Sequence, residues 1–301
     1  MAEDDIYGNK GKYERIVNNL AGLAEKPTNR RARYYCKNQI NIKHFERLLI
    51  YFEMKDLSYI RRIRMMQVLK MISFLTEKDL SQLDRDDINR IVAFSHTTHK
   101  TIISKKDFIK DIKCLWKILF PEKDHLGRID ETLMPYPVRH LKRSVDKSKE
   151  KLRNDRLTWK EFKEILDYFG NDKRMQAYLM LALESLGRPQ EILYTRIKDY
   201  EFFDNYAKVW ISEHGKEGTG FLQCIDSYPF VIEWFKIHPF KNNPDCFFFI
   251  NHAGRNQHKQ LTNKNINEQL SRACKALEIN KKLTCYSLKR NGVTFRRKRG
   301  D

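Results

Sequence analysis

The residue best placed to do chemistry is Arg188. In the stretch Leu183-Glu184-Ser185-Leu186-Gly187-Arg188-Pro189-Gln190-Glu191-Ile192-Leu193, a helical pattern ends at Gly187, an arginine sits at the break, and a new helix opens on Pro189. A planar guanidinium held there bonds two phosphate oxygens at once, and helix-end amides add donors, so this turn suits a phosphate group. An arginine simply exposed in a helix–helix turn fits the same local grammar. Lys198 and Lys208, near the strand-rich stretch that follows, are read as solvated surface, with contact to a polyanion as the other option. The six cysteines, Cys36, Cys114, Cys224, Cys246, Cys274 and Cys285, form no C-x-x-C pair and have no histidine at ligand spacing. They are read as reduced core thiols, and no metal site is expected.

The elements that must position Arg188 fall into two groups. Residues 1–39 are polar and broken, with Arg30, Arg31 and Arg33, and read as an N-terminal arm. From Ile40, Phe45, Leu48, Leu49 and Phe52 recur at helical spacing. A second helix follows Ser58 and carries a basic face of Arg61, Arg62, Arg64 and Lys70. Asp84-Arg85-Asp86-Asp87 opens a third helix, and Lys105 to Phe120 makes a fourth that stops at Pro121. Residues 40–121 thus predict a four-helix unit. Residues 122–151, broken by Pro135 and Pro137 and rich in Lys and Arg, read as a basic interdomain linker. A second domain, 152–301, starts at Thr158 with Glu161 three residues on, a capping box. Ala207–Ile211 and Phe221–Ile225 flank a Gly-rich turn (Gly215, Gly218, Gly220) and predict a hairpin. Phe247-Phe248-Phe249-Ile250 reads as a buried strand, and Trp159, Trp210 and Trp234 as core. The fold class expected is mainly α with a small β-hairpin or sheet, in two domains.

Charge adds a partner class. The chain holds 58 Lys and Arg against 39 Asp and Glu, a formal net charge of +19, while 41% hydrophobic and 12% aromatic residues suffice for packed cores. So large a surplus on a folded protein favours a polyanion, nucleic acid first. No apolar run approaches a membrane span, and the acidic start Met1-Ala2-Glu3-Asp4-Asp5 is unlike a signal peptide, so a soluble, cytoplasmic protein with no membrane partner is expected.

Four features then line up in order. Gly187-Arg188-x-x-Glu191-Ile192-Leu193 with the following Arg196-Ile197-Lys198-Asp199-Tyr200 resembles the first arginine box of the tyrosine site-specific recombinases, the phage-type integrases. The helical unit at 40–121, entered through Leu57-Ser58-Tyr59-Ile60, resembles their core-binding domain. The Gly-rich hairpin resembles the one that carries their catalytic lysine, which matches Lys216. Tyr286-Ser287-Leu288-Lys289-Arg290-Asn291-Gly292-Val293-Thr294, with Gly300 beyond, resembles the second box, His-x-x-Arg-His-x-x-x-Thr. Tyr286 stands at the usual His and Lys289 at the second Arg, with Arg290 adjacent. The resemblance covers residues 40–301.

The resemblance implies a two-domain clamp on double-stranded DNA, tetrameric on its site, that cuts and rejoins strands without metal or nucleotide cofactor. A tyrosine hydroxyl attacks a phosphodiester, giving a 3′-phosphotyrosyl link and a free 5′ hydroxyl. By resemblance Arg188 and either Lys289 or Arg290 stabilise the phosphorane, Lys216 is the general acid, and Tyr286 gives a supporting hydrogen bond. The family carries its nucleophilic tyrosine well beyond the second box, and no tyrosine follows Tyr286 before Asp301. The chain is therefore expected to be truncated at its C-terminus, by origin or by a partitioned gene. A noncatalytic DNA-binding relic is the alternative, and an unrelated basic helical protein the third reading.

Overall fold

The computed structural model describes residues 7–28, 33–142, 154–211, 220–251 and 257–299. They fall into two compact units, within Gly8–Lys151 and within Leu152–Asp301.

The first unit is all helical: α1 (Asn9–Val17), α2 (Ile42–Met54), α3 (Tyr59–Phe74), α4 (Arg85–Thr98), α5 (Ile102–Leu119) and the single turn α6 (Tyr136–Arg139). Side-chain caps set the helix starts. Asp84 accepts from the Asp86 and Asp87 amides while the Asp87 carboxylate reaches back to the Asp84 N–H, and Thr101 accepts from the Ser104 N–H. The core lies among Phe45, Leu48 and Phe52 of α2, Met65, Met66, Leu69 and Ile72 of α3, and Ile112, Leu115 and Trp116 of α5, all essentially buried. The unit is wider than 40–121. Tyr13 of α1, Leu23 and Cys36 are buried in the same core, as are Val138 and Leu141. The arm and linker boundaries therefore move outward: the α1 segment has only a short stripe, Tyr13, Ile16, Val17 and Leu20, in a polar stretch, and the 134–141 segment is interrupted by Pro135 and Pro137. Residues 143–151 of the expected linker, with Arg30 and Arg31, lie outside the described residues.

The basic face of α3 is also largely occupied. The Arg62 guanidinium is buried between the rings of Tyr13 and Tyr59, 5.3 and 5.1 Å from their centroids, donates to the Leu57 carbonyl at 2.5 Å and pairs with Glu53. Arg61 and Arg64 share the buried carboxylate of Asp111, each at 2.6 Å.

The second unit has α7 (Trp159–Tyr168), α8 (Lys173–Ser185), the short α9 (Pro189–Leu193), an antiparallel sheet of β1 (Tyr200–Phe202), β2 (Ala207–Ile211) and β3 (Gly220–Cys224), then α10 (Tyr228–Ile237), α11 (Asn263–Ala276) and α12 (Cys285–Arg299). The Thr158–Glu161 capping box forms as expected. The strands run in the order β1-β2-β3, with Trp210 opposite Phe221 and Lys208 opposite Gln223. β1 has only three residues, too few for alternation to register. α8 is the central element, buried along nearly its whole length. Two expectations change. Phe248–Ile250 is buried and Phe247 half-buried, but among the described residues the segment joins no sheet: it makes isolated bridges to Arg196 and Gln260, with the Phe248 N–H on the Thr195 carbonyl at 2.9 Å. Trp234 is core at 1% exposure, whereas Trp159 and Trp210 are 38% and 41% exposed. Lys208 lies against the rings of Phe203 and Phe221, 5.6 and 5.2 Å from their centroids.

Candidate phosphoryl-transfer site

The site is organised around the end of α8. That helix stops at Ser185, and Leu186 turns the chain with φ +55°, a left-handed conformation usually taken by glycine. Gly187, expected as the terminator, serves a different need: a Cβ there would lie 3.1 Å from the Ile192 side chain and 3.2 Å from the Ser185 hydroxyl. Arg188 follows as the N-cap residue of α9. Its Nη1 donates to Glu191 Oε1 at 3.2 Å, and its backbone N–H donates to Glu191 Oε2 at 3.3 Å. Glu191 is only 4% exposed, so the guanidinium is held from below by a buried carboxylate. The amides expected from α9 count for little, since a helix of five residues has almost no macrodipole. The guanidinium carries the site.

α12 crosses this corner. A Cβ on Gly292 would lie 2.1 Å from the Leu183 carbonyl oxygen and 2.6 Å from Leu186 Cδ2, so α8 and α12 meet backbone to backbone, just ahead of Arg188. Helical spacing puts Lys289, three residues before Gly292, on that same side of α12, with Tyr286 one turn earlier. Tyr286 is 41% exposed. Arg290 belongs to a different surface. Its Nη2 pairs with the Asp155 carboxylate, which also accepts from the Ser287 hydroxyl at 3.2 Å. Asn291 donates to the Asp155 carbonyl at 2.9 Å and accepts from the Leu157 N–H at 2.7 Å. Arg290 thus bolts the entry of the unit to α12. Lys216, expected on the hairpin turn, lies outside the described residues.

Two further groups, missed in the sequence, brace the corner. The Glu184 carboxylate accepts from the N–H groups of Ile225, Asp226 and Ser227 at 2.8 to 2.9 Å, which fixes the turn between β3 and α10. Its carbonyl accepts from Arg296 at 2.6 Å, which ties α12 to the same point. No residue spacing advertises such contacts. Burial pushes the Cys285 thiol up to about 11 and Cys224 up to about 12, so neither is a nucleophile at neutral pH. Among the described residues no group of three or more His, Cys, Asp or Glu side chains is placed to hold a metal. No helix among them is long and apolar enough to cross a membrane.

Residues 155–294 match the phage integrase family, and the unit they make up belongs to that family of tyrosine recombinases. No curated protein matches the chain in sequence. Solved structures share its fold. The XerH site-specific recombinase bound to palindromic difH substrate, in a post-cleavage complex, aligns at a TM-score of 0.61 and 13% identity over 99% of this chain and 86% of that one. A lambda integrase tetramer bound to a Holliday junction aligns at 0.63 and 14% identity, over 85% of this chain and 72% of that one. The Tn1549 transposon integrase in complex with circular intermediate DNA aligns at 0.61 and 10% identity, over 85% and 87%.

Proposed function

We propose that this protein is a site-specific DNA recombinase that binds duplex DNA and works on one scissile phosphodiester at the α8–α12 corner, as a homotetramer on its site. The observation that carries the reading is Arg188, fixed by the buried Glu191 at the corner where α12 crosses α8. Charge growing on the non-bridging oxygens of a phosphorane calls for rigid, preorganised cations, and a guanidinium braced by a buried carboxylate is one. Lys289 is the second cation and fills the second arginine position. Its place on the Gly292 side of α12 supports this role, and the pairing of Arg290 with Asp155 supports a structural one for Arg290. Tyr286, exposed one turn before Lys289, donates a hydrogen bond to the same phosphate and is not the attacking group. Lys216 protonates the leaving 5′ oxygen.

DNA affinity should fall by orders of magnitude between low and moderate salt, because the contacts are Lys and Arg to phosphate. A flat salt response in a fluorescence-anisotropy titration, or no binding in dilute buffer, removes the reading. Strand cleavage, here and in the variants below, is assayed with a full-length form that also carries the nucleophilic tyrosine, on a nicked suicide duplex run on a denaturing gel. A covalent band lost in Tyr286→Phe overturns the role given to Tyr286. Replacing the leaving 5′ oxygen by sulfur, which needs no proton, should restore cleavage to Lys216→Ala. Failure of that rescue rules out Lys216 as the acid.

A further inference from the structure

Lys70 is a cation of the helical unit that the described residues leave uncompensated. Lys70, on α3, is half-buried and lines a cavity of about 560 Å³ between α3, the turn before α5 and the first turns of α5. Among the described residues it has no hydrogen bond, ion pair or ring partner, in contrast to Arg61, Arg62 and Arg64 on the same helix. Burial lowers its pKa, and no nearby carboxylate offsets that cost. The rest of the polar wall consists of donors suited to an anion: Arg64, Gln67, His99, Ser104 and the exposed Arg33. One carboxylate lines the cavity too, that of Asp107, and it is already taken by Arg64 at 3.5 Å. Arg64 in turn is held by Asp111, so its guanidinium is fixed in place at the wall.

We propose that this cavity seats one phosphate group, with Lys70 as its charge partner and Arg64 as its positioned second donor. A half-buried ammonium with no counterion is a standing cost to the free protein, and a bound anion removes it. The seat reads charge and carries no base information, so it sets register on a nucleic acid backbone without contributing sequence preference. The phosphate belongs to a duplex backbone if the function proposed above is right, on which this assignment of the source rests.

The test uses the full chain and the variants Lys70→Met and Lys70→Arg. Methionine keeps the apolar stem and deletes the charge. The salt slope of DNA binding should become shallower by about 0.9, the value for one lost phosphate contact on duplex DNA. The same substitution should raise the unfolding midpoint of the free protein by about 2 °C, because it removes an uncompensated charge. Lys70→Arg should keep the slope. A Lys70→Met protein with an unchanged slope, or with a lower midpoint, overturns the proposal. Inorganic phosphate, followed through the NMR signal of ε-labelled lysine, separates the sources. If the wild-type chain binds no duplex but phosphate still shifts the Lys70 signal, the seat stands for a free phosphate and the recombinase reading falls. If neither duplex nor phosphate moves that signal, the seat falls. Wild-type duplex binding matched in full by Lys70→Met removes the seat and leaves the recombinase reading intact.

Discussion

Gly292→Ala is the most direct perturbation of the corner on which the site depends. The added methyl group would sit 2.1 Å from the Leu183 carbonyl oxygen and 2.6 Å from Leu186 Cδ2. Carbon–oxygen contacts settle at about 3.3 Å or more, so the two helices must separate by roughly 1 Å along that line. Leu186 can rotate away, but Leu183 contributes helix backbone and cannot. Overpacking of this kind costs about 1–3 kcal/mol. For a unit of this size each kcal/mol lowers the midpoint by about 2–4 °C, so calorimetry should report a fall of about 2–12 °C. The chemistry should suffer more than the fold, since a displacement of about 1 Å at a reacting centre costs about 100-fold in rate. Trimming the movable neighbour is the control: Leu186→Ala combined with Gly292→Ala should recover neither stability nor strand cleavage. A single variant that melts with the wild type, or a double variant that recovers fully, refutes the backbone-contact argument.

Arg188→Ala should abolish strand cleavage and also lower the melting midpoint, because it leaves the buried Glu191 without its guanidinium, at a cost of about 1–3 kcal/mol; unchanged melting would mean the pair is not structural. Lys289→Ala and Arg290→Ala should part company: the first keeps the fold and loses cleavage, whereas the second loses stability through Asp155, so equal melting of the two variants removes the assignment. Acid should loosen α4 in a defined window. The Lys78 ammonium, then, against the opposing effect of burial, the Arg90 guanidinium and the Asp84 amide, hold Asp87 at about 2 against an ordinary 3.8, so its contribution is complete above about pH 3.8 and is lost as pH falls through about 2. Asp87→Asn should remove that part of the acid limb in a circular-dichroism titration, and an unaltered limb argues against it.

What the sequence disclosed depended on whether the information was local. Helix starts at Asp84, Thr158 and Pro189 and the pairing of Ala207–Ile211 with the strand near residue 221 were legible, because capping, proline geometry and alternation act within a few residues. The roles of Tyr13 and Val138 were not. Tyr13 heads a stripe of only four residues, with Ile16, Val17 and Leu20, in an otherwise polar leader, and Val138 sits between prolines and basic residues where no period can build. The basic face of α3 misled for a related reason. Charge pattern counts side chains but not their partners, and Asp111 and Glu53, outside that helix, claim three of its four cations. The arginine that caps α9 was legible as a phosphate candidate, yet the pairing with the carboxylate beneath it and the helix above it came from the fold.

The choice between Lys289 and Arg290 shows why a box read as a string stays ambiguous. Neighbouring residues on a helix point about 100° apart, so only one of the two can share the face of Gly292. Composition favours Arg290, since a guanidinium suits a phosphorane better than an ammonium does. Geometry reverses that preference: Arg290 has a buried acidic partner in Asp155, and Asn291 beside it fastens the same segment through two backbone bonds. The Glu191 carboxylate braces Arg188 at the α8–α12 corner, whereas Asp155 holds Arg290 on the side of α12 turned away from Gly292, so Arg290 would have to leave its partner to reach that corner. Lys289 shares the Gly292 side of α12, which faces the α8 corner, and a lysine, a compact point charge on a long stem, tolerates the shorter approach that a glycine-mediated helix crossing imposes.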